Sequence, residues 1–176
     1  EGLFMLIPVS IQTLILSHNP APSVLVLQPT NEVNPSKNGR IIPIWIGSQE
    51  ATQIGLALEN IKFPRPLTHD LLLDALTNLD SFIDHVVIND VKTTVFYSKV
   101  ALRHHGRLIQ LDARPSDSIT LALRQGAPIY MDKNVLERAS YPYIFRGDQQ
   151  INDEELERFH SFITSLSPED FQNNEN

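Results

Sequence analysis

The 176-residue chain contains no cysteine, which removes disulfide frameworks and thiolate metal sites from consideration. No apolar run approaches the roughly 18 residues that a membrane span requires, so no membrane association is expected. Glu1-Gly2-Leu3-Phe4 supplies neither a basic n-region nor a small-residue cleavage site, and secretion is not signalled. The missing initiator Met leaves room for residues upstream. Patterns with a chemistry of their own (GxGxxG, P-loop, HExxH, GxSxG) are absent as well. A basic excess is also lacking: residues 1–147 carry 13 acidic and 13 basic side chains, while residues 148–176 carry 8 acidic side chains and only Arg158. The whole net charge of −7 therefore belongs to the C-terminal segment. A neutral body offers no broad electrostatic footprint for nucleic acid, although it leaves room for a local patch. What remains is the expectation of a cytoplasmic globular protein with ordinary composition, 41% hydrophobic and 20% charged.

Residues 4–16 are rich in Ile, Leu and Val and predict a bent first strand. His18-Asn19-Pro20-Ala21-Pro22 reads as a turn. Residues 23–28 form an aliphatic run suited to a central strand. A polar loop ending at Asn38-Gly39 precedes a third strand over 40–46. Ser48 is placed to cap a helix over 49–60, and Thr68 a helix with Leu71, Leu72, Ala75, Leu76 and Leu79 as its apolar stripe. Strands follow over 84–89, 94–103 and 107–112, with His104-His105-Gly106 as a hairpin turn. A helix over 116–125 stops at Gly126, a strand spans 128–131, and a short helix lies near 134–139. Residues 141–145 read as irregular. The last helix, 153–166, shows Leu156, Phe159, Phe162, Ile163 and Leu166 on one face and must dock on its own domain or on a neighbouring subunit.

Two strand-to-helix junctions match. PIWIGSQEATQIGLALE (43–59) and IQLDARPSDSITLALR (109–124) superpose Ile54, Leu56, Ala57 and Leu58 on Ile119, Leu121, Ala122 and Leu123 after a shift of 65 positions. The expected fold is α+β: a mixed β-sheet with an internally duplicated βββα unit, a connecting helix and a C-terminal helix. One domain spans 1–147, and 148–176 forms an acidic helix and tail packed on that domain or on a neighbouring subunit. A helix that starts off a strand end presents free N–H groups and partial positive charge, so polar residues at both junctions point to an anion site where the copies meet.

Three polar clusters are candidates. Glu50 and Glu59 lie about two and a half turns apart, on opposite faces, so Glu50 serves the helix dipole or a site but does not pair with Glu59. Arg65-Pro66-Leu67-Thr68-His69-Asp70 delivers a histidine and a carboxylate to a helix start, suited to general-base work or metal ligation. The alternative is that Thr68 caps, Asp70 serves the dipole and His69 is solvated. Arg65 between prolines suits a fixed carboxylate or phosphate. Asp112-Ala113-Arg114-Pro115-Ser116-Asp117 gathers two carboxylates, a guanidinium and a hydroxyl, the parts phosphodiester hydrolysis uses to hold Mg²⁺, neutralise charge and activate water. Equally, Ser116 could cap, Asp117 favour the first turn and Asp112–Arg114 form a structural pair. His18, His85, His104, His105 and His160 read as surface or packing residues. Lys99, Arg103 and Arg107 form at most a small positive edge, more simply a solvated strand face.

The strings IPIWIG (42–47), LALE (56–59), PRPLTHDLL (64–72), FYSKVAL (96–102), LDARPSDSITLALRQGAPI (111–129) and PEDF (168–171) resemble the bifunctional nuclease domain family of bacteria and plants. Ser118 stands where that family commonly has Ala. The resemblance implies an α+β homo-oligomer that hydrolyses DNA and RNA, with nucleic acid as substrate; the polar clusters themselves add the expectation of metal assistance, with Mg²⁺ or Mn²⁺ as cofactor. On that reading His69, Asp70, Asp112 and Asp117 are catalytic; Asp112, Asp117 and Glu50 hold metal; Arg65, Arg114, Ser116 and Thr68 bind substrate. The rival is a non-enzymatic, oligomeric binding or regulatory protein. In it Arg65, Arg114 and the helix N-termini hold an anionic ligand or a partner's carboxylate.

Overall fold

The computed structural model describes residues 5–17, 21–31, 39–143 and 153–166, without the side chains of 153, 155 and 156. In chain order the elements are β1 (Leu6–Ile15), β2 (Ser23–Pro29), β3 (Arg40–Ile46), α1 (Ser48–Leu58), α2 (Thr68–Asn78), β4 (Ser81–Lys92) and β5 (Val95–His104). There follow β6 (Arg107–Ala113), α3 (Pro115–Gln125), β7 (Ile129–Asp132), α4 (Lys133–Ala139), β8 (Tyr141–Pro142) and α5 (Asp153–Ser165). Residues 18–20 of the expected turn at 18–22, most of the 29–39 loop and the PEDF string lie outside the described residues.

The strands form one eight-stranded sheet in the order β6-β5-β4-β7-β1-β2-β3-β8. Each copy of the expected duplication is an antiparallel three-strand meander followed by a helix: β1-β2-β3-α1 and β4-β5-β6-α3. The copies do not pair directly. β7 stands between them, antiparallel to β1 and parallel to β4, which makes the sheet mixed and the fold α+β. The junction helices occupy equivalent places: Ile54 and Ile119 are fully buried, the matching Ala57 and Ala122 are buried as well, and α1 packs on α3.

Alternation explains the core. Leu25 and Leu27 of β2, with Ile42, Ile44 and Ile46 of β3, face the α1–α3 layer, as do Phe96, Val100 and Leu102 of β5. Val24, Val26 and Ile41 face the other way and are covered by Phe159 and Ile163 of α5. Burial on both faces accounts for the uninterrupted aliphatic run of β2. The last helix therefore docks on its own chain.

The central helix α2 departs from the expected stripe. None of its residues is buried; Leu73 and Leu76 face the core, whereas Leu71, Leu72 and Leu79 are exposed. Only an i, i+3 pair is needed where a helix lies on the rim of a layer. The strand expected over 84–89 extends to 81–92, because bulges at Asp84 and Asn89 absorb its irregular pattern. The hairpin turn is as expected, with His105 and Gly106 both at positive φ, matching a two-residue turn of the primed kind.

Candidate active site

Gly47, Leu67 and Arg114 are the N-cap residues of α1, α2 and α3, and none accepts a side-chain cap bond. Ser48 and Thr68 thus sit one residue inside their helices and do not cap them, a correction to the sequence expectation. Thr68 lines a cavity instead. In α3, Pro115 occupies the first turn, where no N–H is needed, and Gly126 at φ 78 closes the last turn with its N–H on the Ala122 carbonyl at 2.8 Å. Ser118 is buried; its hydroxyl donates to Ser98 Oγ at 2.9 Å, and Ser98 Oγ donates to the Ala113 carbonyl at 2.7 Å. That link fixes α3 against β5 and gives the departure at Ser118 a structural use.

The three helix starts converge on a cavity of about 380 Å³. Glu50 reaches it from α1, Thr68 and His69 from α2, and Arg114, Ser116 and Asp117 from α3. A helix start favours an anion, and in α1 and α3 first-turn carboxylates, Glu50 and Asp117, already stand there.

A chain of polar contacts crosses this hollow. His69 Nε2 lies 3.2 Å from Asp117 Oδ1. Arg114 donates from Nε to Asp117 Oδ2 at 2.8 Å and from Nη2 to Oδ1 at 3.2 Å, and its Nη1 donates to Glu50 Oε1 at 2.9 Å. Glu50 is folded back over the β3–α1 turn, so a Cβ at Gly47 would collide with its carboxylate. Close approach, not backbone conformation, favours glycine there, because a larger residue would have to displace the flexible end of Glu50.

Burial raises the Asp117 carboxyl, but hydrogen bonds from Arg114 and His69 together outweigh it and hold the group below the ordinary carboxylate range. The bond to Asp117 raises Arg114 above its ordinary value, helped by the bond to Glu50. An ionised Asp117 is acceptor-only, so His69 Nε2 must carry the hydrogen between them. In the neutral imidazole, Nδ1 is then left as the acceptor, the tautomer a general base needs.

The structure sorts the sequence candidates. Glu50, Thr68, His69, Arg114, Ser116 and Asp117 line one hollow. Asp70, Asp112 and Arg65 do not. Asp70 accepts from the Leu67 N–H at 3.3 Å and lies 3.6 Å from Arg124 Nε, because adjacent helix residues point roughly 100° apart. Asp112 lies on exposed β6 in register with Lys99, on the sheet face away from α3, since alternation separates it from Ala113. Arg65 is exposed before α2. Among the described residues no three metal-ligating side chains gather.

Sequence reasoning also missed participants. Gln49 and Gln53 of α1 and Thr120 of α3 line the hollow; Gln53 lies one helical turn from Glu50, and Thr120 one turn from Asp117, on the same faces. That spacing was the available signal. Arg124, which ties the end of α3 to the Ile61 carbonyl at 2.6 Å, carried none.

Comparison with known proteins bears on the whole region. Two uncharacterized proteins, from two strains of Mycobacterium tuberculosis, are 36% identical over 157 residues, covering 85% of this chain and 94% of theirs. Proteins named bifunctional nuclease 1, from the indica and japonica subspecies of Oryza sativa, are 26% identical over 98 residues. That match covers 54% of this chain and 30% of the plant proteins. The family model for the bifunctional nuclease domain matches residues 33–143, which include every residue of the hollow. The chain therefore belongs to the bifunctional nuclease domain family.

Proposed function

We propose that the chain hydrolyses phosphodiester bonds in DNA and RNA at the hollow where the three helix starts meet. The observation that carries this reading is the His69–Asp117–Arg114–Glu50 chain at that place. The scissile phosphate sits against the helix N–H groups and Arg114, with Ser116 and Thr68 as further donors. His69 Nδ1 takes the proton of the attacking water as the P–O bond to the leaving nucleotide breaks, and the imidazolium then returns that proton to the leaving oxygen. Asp117 holds the ring in the required tautomer and stabilises the imidazolium that forms.

Glu50 and Asp117 share one guanidinium, so the hollow carries an excess negative charge before a phosphate arrives. That donor set suits a Mg²⁺ or Mn²⁺ ion held by two carboxylates, with its remaining positions filled by water and phosphate oxygens. When bound, such an ion would neutralise phosphate charge and acidify a water. Asp112 takes no part in this assignment.

The test is cleavage of end-labelled single-stranded DNA and RNA with Mg²⁺. Asp117→Asn and His69→Ala should each remove activity from a still-folded protein. Parent-like cutting by Asp117→Asn would reject the reading. One observation favours the rival, a protein that holds an anionic ligand without turning it over: Arg114 is already clasped by carboxylates on both sides. Calorimetry showing nucleotide binding without any cleavage would support it.

Self-association is a further part of the proposal. Among the described residues β6 is an edge strand, free of proline, with Leu108, Ile109 and Leu111 exposed. Antiparallel pairing of two such edges about Gln110 sets Ile109 of each copy against Leu111 of the other. Ile109→Lys should shift sedimentation from oligomer to monomer; an unchanged species would exclude this edge.

A further inference from the structure

Gln49 and Gln53 of α1 line the hollow without a part in the proton transfer or the phosphate contacts. They stand four positions apart, so their side chains share one face of the helix, and Gln53 is one turn from Glu50. Gln49 is exposed, whereas Gln53 is half-buried. Among the described residues neither side chain has a hydrogen-bond partner. Water satisfies the exposed amide. The half-buried one is the one that needs a partner.

The other polar groups of the hollow are limited or already engaged. Glu50 and Asp117 are acceptors only, and Arg114 is a donor only. The Nε2 hydrogen of His69 goes to Asp117. Thr52 donates its hydroxyl hydrogen to the Ser48 carbonyl at 2.9 Å, and Thr120 donates to the Ser116 carbonyl at 2.7 Å. Thr68 and Ser116 serve the phosphate. A primary amide offers donors and an acceptor together and carries no charge. It therefore matches a neutral group that donates and accepts at once, and it adds nothing to the negative excess of the hollow.

We propose that Gln53 binds the ribose 2′-hydroxyl next to the scissile phosphate, which makes RNA the preferred substrate class of this site. The inference rests on the phosphodiesterase reading for the position of the phosphate. The 2′-hydroxyl is both donor and acceptor, and it is the group by which a protein tells RNA from DNA. Its carbon is bonded directly to the one that carries the 3′-ester oxygen. It is thus the nearest neutral group to the phosphate that both donates and accepts, while the base edges lie beyond the sugar. Gln53 stands one helical turn, about 5.4 Å, along α1 from Glu50, and Glu50 is bonded to the guanidinium of Arg114 that meets the phosphate. That spacing sets the amide beside the sugar.

Adenosine 3′-monophosphate and its 2′-deoxy counterpart are titrated by calorimetry into the full chain and into Gln53→Met. Methionine keeps the length and the helix propensity but has no donor. The parent should bind the ribonucleotide about three- to tenfold tighter, the worth of one hydrogen bond between neutral groups. Gln53→Met should bind the two nucleotides alike, through loss of affinity for the ribonucleotide. A DNA strand with one central ribonucleotide should be cut there by the parent about three- to tenfold faster than the all-deoxy strand. Gln53→Met should cut both strands at one rate. A preference that survives in Gln53→Met would come from the reactivity of the 2′-hydroxyl itself and would overturn the assignment.

Equal affinity of the parent for the two nucleotides, or equal cutting of the two strands, would overturn the ribose contact while leaving the phosphodiesterase reading standing. A ribonucleotide preference in binding that Gln53→Met abolishes, with no cleavage of any strand, would support the contact and reject the phosphodiesterase. Binding of neither nucleotide and cleavage of neither strand would reject both.

Discussion

Replacing Arg114 with Met separates a functional cation from a structural clasp. The guanidinium makes three hydrogen bonds to two carboxylates, yet its side chain is 64% exposed, and Glu50 and Asp117 keep about a third of their surface in water. Exposed ion pairs contribute about 0.2–1 kcal/mol each, so the substitution should cost stability about 1 kcal/mol, mainly from leaving two carboxylates facing one another. For a chain of this length that is a fall in Tm of roughly 2–4 °C. Catalysis should respond on a different scale. Loss of one fixed donor to a developing oxyanion costs about 10²–10³ in rate. Thermal unfolding followed by circular dichroism, with cleavage of a labelled single strand measured on the same preparation, reads both quantities. Arg114→Lys should be intermediate in rate, because an ammonium keeps the charge but not the fork that spans two carboxylates. A fall in Tm beyond 10 °C, roughly 3 kcal/mol or more, would make Arg114 a structural clasp. Cleavage within about threefold of the parent, against the expected 10²–10³, would remove it from the chemistry.

Arg124 should behave in the opposite way. Its side chain is only 7% exposed, Nη1 bonds the Ile61 carbonyl and Nε approaches Asp70, so Arg124→Met should cost about 1–3 kcal/mol. Part of the loss is offset because Nη2 is buried with no partner among the described residues; the urea midpoint measures the balance, and the cleavage rate per folded molecule should stay close to that of the parent. Acid should weaken the protein through Asp117. Its carboxyl lies below the ordinary 3.8 in the folded chain, so its contribution is fully present above that value and disappears as pH falls through the lower folded one. Urea midpoints between pH 5 and pH 2 (about the range over which such a carboxylate titrates) should therefore fall less steeply in Asp117→Asn than in the parent. Equal slopes would show that Asp117 gains no net support from Arg114 and His69.

Much of the architecture was legible in one dimension. The aliphatic run of β2, the alternation of β5, the Pro115 start and Gly126 stop of α3, and the repeated apolar positions of α1 and α3 each express a local rule: burial period, turn chemistry or helix termination. The face of α2 was misread because five apolar residues in its window satisfy more than one stripe, and only neighbouring α3 and β4 choose Leu73 and Leu76. Nothing local could place β7 between the two meanders, since strand order is set by pairings far apart in sequence.

The candidate site divides in the same manner. Chain chemistry by itself determined that polar groups gather at two matching strand-to-helix junctions and at the PRPLTHD segment, because helix starts require polar partners and prolines mark the breaks. Tertiary structure alone decided which of those groups share a hollow. Asp112 and Asp117 are five positions apart and separated by a sheet; His69 and Asp117 are 48 apart and in contact. The physical reason is that side-chain direction follows the period of each element, whereas the meeting of three helix starts follows from how the helices pack across the sheet.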